Sequence, residues 1–123
     1  MIKNKNEAMK ELGKVLDKRI IIQKNSTVQN ENGFDIEEWK DYKPVWAKKN
    51  NLFGKEYFAA KAINAENTVE FEIRYSKELE PLLEKDGTKL YRILYKNRPF
   101  DIIYVDNIRE ENRWLKIKSI EVN

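Results

Sequence analysis

The chain has 123 residues, 24 of them basic and 21 acidic, with 41% hydrophobic, 4 Gly, no Cys and no His. That length suits one domain, able to bury roughly two thirds of the surface its unfolded form exposes, so it needs no cofactor, metal or disulfide to be stable. Thiol and imidazole nucleophiles, imidazole bases and zinc sites built on sulfur or imidazole are excluded, and a net charge of +3 permits contact with nucleic acid without demanding it.

The first residues, Met1 to Lys14, are polar and charged, unlike a signal peptide, and no window approaches the roughly 18 apolar residues of a membrane span. A soluble, unprocessed protein is expected. Ala8, Leu12 and Leu16 recur at helical spacing around Gly13, so residues 1–15 read as a short N-terminal helical extension and 16–123 as the domain proper. Arg19 to Gln23 is a β-branched run that fits a pleated strand, and the polar stretch Asn25 to Gly33 reads as a loop. From Phe34 to Lys49, aromatic and β-branched residues recur among charges, and Pro44 bars a helix, which predicts a long, interrupted or edge-lying strand.

Gly54 to Ile63 is rich in helix formers and predicts a short internal helix. Val69, Phe71, Ile73 and Tyr75 then alternate with Glu70, Glu72 and Arg74, the cleanest period of two in the chain, predicting a strand with one wet face. Leu79 to Glu84 reads as a connector around Pro81, and Asp86-Gly87 as a turn before the strand Leu90 to Tyr95. Lys96-Asn97-Arg98 is a tight link in which Asn97 takes a left-handed conformation, making an antiparallel hairpin. Phe100 to Ile108 and Trp114 to Val122 complete the set, with a change of apolar phase that suggests a bulge near Ser119. The expected fold is mainly β: a small antiparallel β-barrel or sandwich of about six strands, with one short internal helix and a short N-terminal helix.

Enzymatic chemistry would have to rest on carboxylates. Glu37-Glu38, Glu70 with Glu72, and Glu110-Glu111 are the available pairs, and Glu70 with Glu72 share a strand face, yet no further acid or amide falls at a recognised ligand spacing, so they read as a solvated face. No enzyme, cofactor or metal site is expected. Tyr91, Arg92, Tyr95, Lys96, Arg113 and Trp114 interleave aromatic and basic side chains as a base-stacking barrel would, and a small nucleic-acid-binding barrel is the alternative function. Read otherwise, these aromatics are core and rim residues. Lys48 to Lys55 reads as a mobile strand-to-helix connector bearing three lysines, Lys48, Lys49 and Lys55, beside Leu52-Phe53.

Taken in order, Gly13, Leu16, Lys18-Arg19-Ile20 with Ile22-Gln23, Gly33, Trp39, Val45-Trp46-Ala47, Gly54-Lys55-Glu56-Tyr57-Phe58 with Ala60, Ile73-Arg74-Tyr75, Arg92, Tyr95 to Ile102, and Asn112 to Leu115 resemble the phage head-tail joining family, also called head-tail adaptor or head-closure proteins. The resemblance covers about residues 13 to 122. It implies a small β-barrel that assembles as a homo-oligomeric ring in the virion neck, between the portal-adjacent adaptor ring and the tail or tail-completion protein, made in the host cytoplasm. It also implies no catalysis, a part in retaining packaged DNA and a non-specific contact with passing DNA. A ring needs two complementary patches on each subunit, so Phe34, Trp39 and Tyr42, in the irregular arm from Phe34 to Trp46, are candidates for a subunit contact. Whether Trp39 and Trp46 belong to that contact or to the subunit's own core stays open at this point, with Trp46, which abuts Ala47, the one that reads rather as core.

Overall fold

The computed structural model describes residues 15–51 and 68–122. Six strands appear in these segments: β1 (Lys18–Gln29), β2 (Asp35–Asn51), β3 (Thr68–Arg74), β4 (Tyr91–Tyr95), β5 (Arg98–Asn107) and β6 (Trp114–Glu121). Every pairing is antiparallel, and the sheet closes on itself in the order β1-β2-β3-β6-β5-β4 because β4 pairs with β1 from Ile21↔Leu94 to Lys24↔Tyr91. The expected mainly β, six-stranded antiparallel fold is therefore present, in its barrel form. The N-terminal extension and the internal helix begun at Gly54 lie outside the described residues.

The barrel interior follows from the period of two. Ile20 and Ile22 of β1, Ala47 of β2, Phe71 and Ile73 of β3, Ile93 of β4 and Leu115 and Ile117 of β6 all have no accessible surface. Phe71 packs edge-on against Tyr95 and Phe100, with ring centroids 5.7 and 5.8 Å away. Between β3 and β4 the chain forms a 3-10 helix, Lys77–Leu83, and a single helical turn, Gly87–Leu90, where a connector and a turn were expected. Its leucines Leu79 and Leu82 join the core cluster, so the segment plugs the barrel rather than merely spanning it.

Local turn chemistry sets the register. Lys96 and Asn97 both have positive φ, 51° and 61°, and Tyr95 faces Arg98 across this two-residue loop, as a hairpin matched to strand twist requires. Pro44 is accommodated where β2 is paired with β1 alone, before β3 joins at Ala47. The bulge expected near Ser119 belongs to the neighbouring strand. In β6 the inward alternation Leu115, Ile117, Ser119 continues unbroken, the Ser119 hydroxyl donating to the Val69 carbonyl at 3.0 Å, while β5 takes the extra residue at Ile103. A satisfied serine had disguised itself as a change of phase.

The predicted wet face of β3 is also corrected. Glu70 and Glu72 do point away from Phe71 and Ile73, but they are only 9% and 7% exposed. Asn50 Nδ2 donates to Glu72 at 3.2 Å and approaches Glu70 at 3.5 Å, and the Lys116 ammonium lies 3.5 Å from Glu70. Flanking strands carry the cover.

Candidate functional site

Strands β1 and β2 are longer than the barrel they help to close. β1 pairs with β4 only as far as Lys24, and β2 pairs with β3 only from Ala47, so Asn25–Gln29 and Asp35–Trp39 pair with each other and nothing else among the described residues. They form a two-stranded arm. The polar loop expected from Asn25 to Gly33 is thus mostly strand, and only its tip turns. There the Asn30 side-chain oxygen accepts from the backbone N–H groups of Asn32 and Phe34, at 2.9 and 3.0 Å, and Gly33 supplies the positive φ of 79°.

The three residues expected as subunit contacts lie in different surroundings. Phe34, at the arm's tip, is 66% exposed. Trp39 is half-buried, its ring covered by the Arg92 guanidinium 4.5 Å from the ring centroid, while the Arg92 Nε donates to Gln23, whose amide in turn donates to Asp41. Tyr42, 37% exposed, is the extra residue of a β2 bulge opposite Ile22 and Gln23, and its side chain makes contacts within the subunit. Its hydroxyl donates to the Glu78 carbonyl and its ring meets Tyr91 edge-on at 5.2 Å. Burial, with Tyr91 and Glu78 close by, holds the Tyr42 phenol above its ordinary pKa, and burial does the same for Tyr91.

Trp46, expected in the core, is 53% exposed instead. It pairs with Arg19 on the outer face of β1 and β2, and the Arg19 guanidinium lies 4.9 Å over its ring. The reason is parity: Val45 and Ala47 take the inward positions, which leaves Trp46 outside.

The lysine-bearing connector is corrected in the same way. Lys48 and Lys49 are not in a loop but at successive positions of β2, opposite Glu72 and Phe71, so they face opposite sides of the sheet; Lys55 lies outside the described residues. Lys49 lies on the Phe71 side, its ammonium 5.8 Å from the centre of the Tyr95 ring, and Lys96 of the hairpin turn approaches the same ring at 5.4 Å. This pair makes a basic corner near the C-terminal end of β2. Sequence reading had no way to join Lys96 to Lys49, since the two are brought together only by barrel closure.

Tyr91 and Tyr95, considered for base stacking, are core residues, which removes two of the three aromatics from that role. Among the described residues no cluster of acids could hold a metal ion, and no helix is long and apolar enough to cross a membrane.

Comparison with known proteins decides the family. Residues 14–122 match the model of the phage head completion proteins. The chain belongs to that family. It is a structural rather than enzymatic family, and the chain is a structural head-tail component of a phage virion. Among solved structures, protein SF1141 of Shigella flexneri 2a is similar at 28% identity with a TM-score of 0.61, covering 86% of this chain and 92% of its own. A chain of the native gene transfer agent virion shares the fold at 17% identity and a TM-score of 0.53, covering 88% of this chain and 96% of its own. No curated protein matches.

Proposed function

We propose that the protein forms a ring of identical subunits in the neck of a tailed-phage or prophage particle, between the portal-adjacent adaptor ring and the tail or tail-completion protein, and that this ring helps retain packaged DNA. Membership of the head completion family over residues 14–122 carries the reading. The exposed arm supports it, because a ring of copies needs a projecting patch as well as a receiving one. Assembly takes place in the host cytoplasm on a template ring, and the free protein is monomeric in dilute solution. Electron microscopy locating the chain in a tailed particle tests the placement, and a tight ring at micromolar concentration without partners would show that no template is needed.

Lys48, Lys49 and Lys55 give the ring its non-specific contact with DNA. Repeated around a channel, a few lysines per subunit set a strong local field, although one subunit binds DNA poorly. Changing all three to Ser is expected to leave the fold and incorporation intact and to yield particles that leak or eject DNA abnormally. Normal retention and infectivity in that variant would end the DNA role.

A further inference from the structure

The arm and the outer face of the barrel carry opposite chemistries. From Asn25 to Trp39 the chain has four acids, Glu31, Asp35, Glu37 and Glu38, and no lysine or arginine, within a protein of net charge +3. Glu38 lies 3.9 Å from Lys40, while Glu31, Asp35 and Glu37 have no cationic partner among the described residues. Between these acids the arm exposes Phe34 and Ile36, and Ile36 stands across from the half-buried Val28. An apolar tip ringed by negative charge results.

At the other end of the same two strands is an open groove of about 640 Å³, walled by Pro44, Val45, Trp46 and Leu79 and rimmed by Arg19 and Arg74. Neither arginine has a carboxylate partner among the described residues. The nearby acids are engaged: Glu78 with Lys43 at 3.1 Å and Glu80 with the Tyr75 hydroxyl. An exposed tryptophan under an arginine, beside a second arginine, is the composition found at the centre of protein contacts.

We propose that the acidic arm of one copy docks, through Phe34 and Ile36, into the basic groove of the next copy. This rests on the ring reading and names its contact. Charge complementarity selects the arm over the chain's own N-terminal segment, since residues 1–14 hold four lysines against two glutamates and would meet Arg19 and Arg74 with like charge. Geometry requires the docking to be between copies. Arg19 and Val28 lie on one strand, and at about 3.3 Å per residue roughly 30 Å separates the groove from the arm tip, so the arm does not reach its own groove. Two different patches on one subunit make a heterologous contact, which closes into a ring where the rotation permits.

The chain has no cysteine, so single-cysteine variants give unambiguous cross-links. N32C at the arm tip and K77C beside the groove, mixed at high concentration with a short bismaleimide, are expected to form heterodimers at least about tenfold faster than N32C with I103C, placed on the exposed β5 bulge. Adding D35K and E37K to the arm partner should abolish the excess, and adding R19E and R74E to the groove partner should restore it; circular dichroism of each variant checks that the fold is kept. Equal rates with K77C and I103C, a faster N32C homodimer, or charge reversals without effect would overturn the proposal. So would an intramolecular L12C–K77C link in place of the heterodimer, which would give the groove to the N-terminal segment. Closed rings seen by electron microscopy with the charge-reversed arm would overturn the contact and leave the ring reading standing. Heterodimer formation in a protein whose particles contain no such ring would do the reverse.

Discussion

Strands β1 and β2 pass through two environments, and the same antiparallel pairing does different work in each. In the barrel, Ile20, Ile22 and Ala47 face the core, and each strand has a second neighbour, β4 or β3. In the arm, Asn25–Gln29 and Asp35–Trp39 pair only with each other among the described residues, and none of their side chains is fully buried. A lone two-stranded hairpin is marginal in water, so the arm depends on its Asn30-anchored tip and the Arg92–Trp39 stack at its base. Its acids also discourage open strand edges from indiscriminate pairing. Stability is concentrated in the barrel half of this ribbon, and the proposed contact tip lies in the other.

The largest test of that division lies in the barrel. Phe71→Ala removes a fully buried ring packed on two others and is expected to cost about 3–5 kcal/mol in a urea titration, a large share of a total of roughly 5–15. A loss near 1 kcal/mol would mean that the aromatic cluster is not the centre of the core. Gly87→Ala comes next. A Cβ there would sit 2.3 Å from the Leu82 carbonyl oxygen, which is backbone and cannot swing aside, so the plug must shift, at about 1–3 kcal/mol. If Gly87→Ala is neutral, the plug contributes less to the barrel than Leu79 and Leu82 suggest.

The same division explains what could be read from the sequence. The strands through Ile20 and Ile93 were legible from their β-branched and apolar runs, and β3 from the alternation of Val69, Phe71 and Ile73 with acids. The hairpin at Asn97 was legible from its turn residues. Of the arm, the β2 half was legible within the long strand read from Phe34 to Lys49, but the β1 half, Asn25–Gln29, was not, because neither of its faces is fully buried and such a strand leaves no hydrophobic period to read. Trp46 and Lys48-Lys49 were misplaced for a related reason: residue type suggested core or loop, whereas parity along a strand fixed by Val45 and Ala47 decided their sides. The groove was invisible because its walls come from β1, β2, β3 and the 3-10 segment, far apart in sequence.

A pH titration sharpens the comparison at the base of the arm. Burial raises the pKa of Tyr42 and Tyr91 above the ordinary 10.0, so the folded state favours their neutral phenols. The stability they contribute is complete below pH 10 and lost as pH rises through the higher folded values. Thermal melts should therefore fall above about pH 10, with Tyr42→Phe less sensitive than the unmodified protein. An unchanged alkaline slope in Tyr42→Phe would show that this tyrosine does not link arm and barrel energetically.

The smallest effect on stability is expected at the arm tip, and it bears most directly on the division. Phe34 is exposed and its ring makes no stacking contact among the described residues, so Phe34→Ser should change the unfolding free energy by no more than about 0.5 kcal/mol. If the tip exists for recognition, the same substitution should reduce incorporation into particles, measured by the ratio of this chain to the major head protein. The two readouts must separate, because a side chain that stabilises only a contact leaves the isolated subunit untouched. Loss of stability together with incorporation would make the arm part of the folding unit. Unchanged values of both would leave the exposed phenylalanine with no part in recognition and put the contact surface elsewhere on the barrel.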